Sequence, residues 1–118
     1  MPSRPPPPDG VACLVEGRPV DALVAFERDP DDVGSRTGRA AALAELGGDG
    51  LAEALDELAR RPGRTTVERH HVEIVVLALT GRGDRATGLG REHLVDHPDD
   101  RLVRHVLARW CPGAQDLR

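Results

Sequence analysis

His93 and His97 are the residues whose type and spacing most readily suggest chemistry. They stand four apart in the segment HLVDH, so on a helix they share one face. With Asp96 between them, the segment is a loose relative of the HxxEH pattern of zinc-dependent proteases. His70, His71 and Glu73 belong to the preceding helical segment. Two neutral imidazoles and a carboxylate suit zinc, which in catalytic sites keeps one position open for water. His93, His97, His71 and Glu73 are thus the candidate ligands of the alternative reading, a helical metal-dependent hydrolase. Against it, the acid of the motif is Asp, one methylene shorter as a general base. A histidine near a helix C-terminus is also favoured by the helix dipole alone. The primary reading therefore assigns no metal, no cofactor and no catalytic residue.

Other reactive patterns are missing. Ser occurs only at Ser3 and Ser35, neither in a GxSxG elbow. The chain has no Lys, and hence no GxxxxGK[ST] phosphate loop. The segment TGRGDRATGLG is rich in glycine, but no strand precedes it as a dinucleotide loop requires. Cys13 and Cys111 sit near opposite ends with no CxxC spacing, which reads as two small apolar residues rather than a disulfide or redox pair.

The elements that must position any site follow from composition. A chain of 118 residues is one domain, and with 39% apolar but only 2% aromatic residues its core must come from Ala, Leu and Val. A net charge of −4 offers no basic footprint for nucleic acid, and all cationic residues are Arg, so single arginines are not read as phosphate hooks. The opening MPSRPPPPDG lacks the apolar stretch of a secretory leader and reads as a solvated polyproline tail over 1–9, with a second tail over 111–118. The longest apolar run, Ile74 to Leu79, falls far short of the ~20 residues that cross a bilayer. A cytoplasmic protein with no membrane and no nucleic-acid partner is expected.

From Val11 onward, Ala and Leu dominate between recurring Gly and Pro breakers, which predicts helices over 10–16, 19–28, 33–46, 50–61, 65–80, 83–96 and 100–110. The breakers are metred. Ala22, Ala54 and Ala86 are separated by 32 and 32 residues, and Pro30, Pro62 and Pro98 by 32 and 36. In two units Gly leads the alanine by five, from Gly17 to Ala22 and from Gly81 to Ala86. Each unit reads as a helical hairpin. The first helix ends at a Gly able to take positive φ, the second starts with a small residue at a close helix approach, and a Pro stops it.

This pattern resembles the tetratricopeptide repeat family. The strip ERHHVEIVVLALTGRGDRATGLGREHLVDHPDD is also similar to the tetratricopeptide repeat protein 38 branch, and Phe26 falls where the family prefers an aromatic. Two departures stand out. The second helices of the first two units are short by about one turn, and the usual aromatic early in the first helix is missing. The expected fold is all-α, a solenoid of about three antiparallel helix pairs plus a terminal helix, over 10–110.

The resemblance implies a non-catalytic scaffold that binds a protein or peptide partner in a concave groove. Helices 33–46, 65–80 and 100–110 should line it, and a curved stack suits an extended segment on physical grounds alone. Arg36, Arg39, Glu68, His71, His105 and Arg109 are the candidate partner-binding residues. Some members of the family clamp a C-terminal carboxylate with Lys and Asn, which this chain lacks. Arg36 and Arg39, one turn apart, could hold a carboxylate bidentately instead. The last helix, RLVRHVLARW, carries an apolar stripe with little sequence after it to cover it, so self-association through this end helix is expected.

Overall fold

Asp9, Asp32, Thr65 and Asp100 each stand just ahead of an apolar helical pattern, and in the computed structural model each caps one. Their side chains accept from the amides of Val11, Ser35, Glu68 and Val103. At Thr65 the cap is reciprocal, because Glu68 reaches back to the Thr65 amide to close a capping box. The structure describes residues 9–111. The expected tails therefore lie outside the described residues, apart from Asp9, which caps a helix and pairs with Arg101, and Cys111, which is buried.

Seven helices result, with no strand among the described residues: α1 Gly10–Val15, α2 Pro19–Phe26, α3 Val33–Leu46, α4 Leu51–Arg60, α5 Thr66–Leu79, α6 Gly83–Asp96 and α7 Arg101–Trp110. Gly17, Gly47 and Gly81, which follow α1, α3 and α5, have φ of 78°, 61° and 82°, the left-handed turn that side chains with a Cβ resist. The metred alanines Ala22, Ala54 and Ala86 all face inward on α2, α4 and α6, with at most 4% exposure. A methyl there lets the second helix of each pair lie close against the first. The short second helices are also real: α2 has 8 residues and α4 has 10, against 14 in α6.

The odd-numbered helices form an inner cluster. α1 touches α3, α3 touches α5 and α5 touches α7, and α7 also reaches back to α3 and α1. Each even helix leans on its two odd neighbours: α2 on α1 and α3, α4 on α3 and α5, α6 on α5 and α7. The main core runs through α1, α2, α3, α5, α6 and α7, and a smaller one of Ala40, Leu43, Ala54, Leu58 and Val72 lies under α4. Among the described residues no helix is long and apolar enough to cross a membrane.

One expectation needs correction here. The apolar stripe of α7 is not an exposed end, because Leu102, Val103, Val106 and Leu107 are buried in the main core and Trp110 is half-buried against it. The stripe is covered chiefly by α5 and α6, with further contacts from α1 and α3.

With one Phe in the chain, its seat is informative. The Phe26 ring lies over two helical glycines, and a Cβ on Gly38 would stand 2.2 Å from the ring, one on Gly10 2.6 Å. Only bare backbone allows α1 and α3 to close on that ring together. Gly38→Ala should therefore destabilise the fold by about 1–3 kcal/mol despite alanine's better helix propensity, because overpacking outweighs the roughly 1 kcal/mol propensity gain. Urea unfolding checks this, and a variant as stable as wild type would show the ring is not held there.

Candidate functional site

Three helices and one cap bring the most concentrated polar chemistry together inside the molecule. Asp100 caps α7, and its Oδ1 accepts from the Val103 amide at 3.2 Å. Its Oδ2 meets two imidazoles, His71 Nδ1 of α5 at 2.8 Å and His93 Nε2 of α6 at 2.7 Å. The other ring nitrogen of His71, Nε2, lies 2.7 Å from Thr37 Oγ1 of α3. Side-chain exposure is 3% for His93, 12% for His71 and 17% for Asp100, and Thr37 is wholly buried. Burial pushes the Asp100 carboxyl up, but hydrogen bonds and charge from His71, the His93 bond and the Val103 amide outweigh it. They hold it well below the usual carboxylate range, so Asp100 is an anion at neutral pH.

Of the four candidate metal ligands, this cluster unites His71 and His93. His97, the C-cap of α6, stands beside them with its ring centroid 5.1 Å from that of His93. Glu73 is elsewhere: its side chain is half exposed and its nearest cation is Arg85 at 3.8 Å. The carboxylate of the cluster is Asp100, which the sequence presents only as a helix cap. His71, His93 and Asp100 each offer a ligand atom, all within 4.8 Å of one another.

A second polar contact fixes α7 to α3. His105 Nε2 lies 2.9 Å from Glu45 Oε2, and Arg109 Nε lies 3.7 Å from Glu45 Oε1. Glu45 is only 9% exposed and has no distinguishing motif around it. Three of the residues expected to face a partner (His71, His105 and Arg109) thus have partners within the chain. Glu68, a fourth, is occupied by its capping box: Oε1 accepts from the amides of Arg64 and Thr65, which lower its pKa.

Arg36 and Arg39 are placed differently. They border a cleft of about 340 Å³ between α2, α3 and α4, whose apolar lining includes Phe26, Ala54 and Leu58. Arg36 donates from Nη1 to the Arg61 carbonyl at 2.7 Å, while its Nε is buried with no hydrogen-bond partner. Arg39 has only a long contact of 3.8 Å with Glu27.

No family model, curated protein or solved structure matches this chain.

Asp100→Ala removes the anion, the α7 cap and the partner of two imidazoles. It should cost about 3–5 kcal/mol, the scale for taking one member from a buried charged set. Asp100→Asn keeps an acceptor for the Val103 amide and should cost less. Urea unfolding of both variants measures the difference, and wild-type stability in Asp100→Ala would refute the anchoring role.

Proposed function

We propose that this chain is a non-catalytic helical-repeat interaction module, in the manner of a tetratricopeptide array, that binds a protein segment carrying a carboxylate. The binding surface in this reading is the cleft between α2, α3 and α4, where Arg36 and Arg39 supply the cations of a charged lining that also holds Glu27 and Glu57. The observation that carries it is the orphaned Arg36 Nε. A buried donor without a partner is uncommon in a folded protein, and it calls for an acceptor. A carboxylate meets the demand once the Arg36 side chain turns that edge into the cleft, because a guanidinium offers it two parallel donors in one plane. The cleft's volume falls in the range of roughly 300–1,000 Å³ typical of ligand sites, and the apolar lining from Phe26, Ala54 and Leu58 suits an aliphatic side chain beside the carboxylate. The inner face is a weaker choice, since His71 and His105 already spend ring nitrogens on Asp100 and Glu45.

Fluorescence polarisation against a library of peptides with free C-terminal carboxylates tests this reading. Binders are expected whose affinity falls about tenfold or more on Arg36→Ala or Arg39→Ala, in line with about 1.5–3 kcal/mol for a hydrogen bond to a charged group. Amidation of the peptide terminus should have a similar effect. Binders indifferent to all three changes would contradict the proposal.

A further inference from the structure

The cluster around Asp100 brings metal-ligating atoms from three elements to one point: a ring nitrogen of His71, a ring nitrogen of His93 and a carboxylate oxygen of Asp100 all lie within 4.8 Å of one another. Thr37 Oγ1, itself 3.0 Å from the Val33 carbonyl and 3.1 Å from the Gly34 carbonyl on α3, lies 2.7 Å from His71 Nε2. That contact leaves Nδ1 as the nitrogen that faces Oδ2 of Asp100, at 2.8 Å. His93 Nε2 converges on the same oxygen from α6.

We propose that His71, His93 and Asp100 form a structural zinc site that ties α5, α6 and α7 together. Two imidazole nitrogens and a carboxylate oxygen are donors zinc accepts, and three protein ligands leave a fourth position for water. The Thr37 contact supplies the outer partner that ligating histidines normally have, fixing which nitrogen of His71 faces the ion. The Val103 amide does the same for Asp100 by holding the oxygen that does not face the rings. A tetrahedral ion with bonds of ~2.1 Å sets its ligand atoms about 3.4 Å apart. The present contacts of 2.7 and 2.8 Å must therefore open by about 0.6–0.7 Å, within reach of side-chain rotations. A cleft of about 320 Å³ lined by His93, His97, His70 and Glu92 gives a route from solvent to the His93 ring. This inference does not depend on the peptide cleft, and Arg36 and Arg39 take no part in it.

Isothermal titration of the full, chelator-stripped chain with Zn²⁺ tests the site. The expected result is one ion per chain with submicromolar affinity, and Co²⁺ should give the visible bands of a tetrahedral site without a thiolate charge-transfer band from Cys13 or Cys111. Asp100→Asn, which keeps a capping acceptor, should lose most of the affinity. Thr37→Val touches no ligand atom and should lower affinity about 10–100-fold, as removal of an outer partner does. It decides the matter if Asp100→Asn fails to fold. A wild-type chain that binds no zinc, or a folded Thr37→Val chain with unchanged affinity, would overturn the proposal.

Discussion

A buried carboxylate with two duties organises this molecule. Asp100 must lose most of its water to sit where it does, and that cost is offset only if its lone pairs are used. One oxygen takes the Val103 amide in the first turn of α7, and the other takes an imidazole from α5 and an imidazole from α6. Thr37 of α3 holds the far side of His71, so four helices meet through one short polar chain. The surrounding core is mostly Ala, Val and Leu, whose packing tolerates sliding more readily than hydrogen bonds do. A helix that slipped along its axis would keep much of its apolar burial yet strand Asp100 or a histidine. The polar spine therefore sets register, and Glu45 with His105 does the same further along α7.

That arrangement shifts attention from the inner face to the flank. In an open stack of helical hairpins the first helices present their polar residues to a partner. Here α1 and α7 come into contact, and the polar residues of the inner helices satisfy one another. The flank between α2, α3 and α4 differs because α2 and α4 are short. A longer α2 or α4 would extend over the ends where Phe26, Ala54 and Leu58 meet Arg36 and Arg39. The early prolines Pro30 and Pro62 thus trace, through helix length, to a recess that pairs apolar side chains with Arg36, Arg39, Glu27 and Glu57.

The sequence was most legible where signals are local. Helix ends follow from caps and breakers within a few residues of each terminus, and all seven helices lie within two residues of the expected spans. The metred alanines Ala22, Ala54 and Ala86 report close helix approach, a property of one hairpin at a time, and all three are buried. Legibility failed where one residue serves two elements. Asp100 has the sequence signature of an N-cap alone, which carries no sign of its second oxygen, and Glu73 neighbours His71 only in sequence. Two residues apart on a helix, side chains point to different faces, which is why Glu73 meets Arg85 instead. The burial of the α7 stripe rests on packing against α5 and α6, with α1 and α3 behind, and no pattern within α7 itself encodes those contacts.

A double-mutant cycle between His71 and Asp100 addresses the central claim most directly. If Asp100 is the anion that unites the inner helices, His71→Gln and Asp100→Asn should couple by more than about 1 kcal/mol, as residues sharing one network do. Strictly additive losses in urea unfolding would mean that the two side chains act independently, and the account would fail.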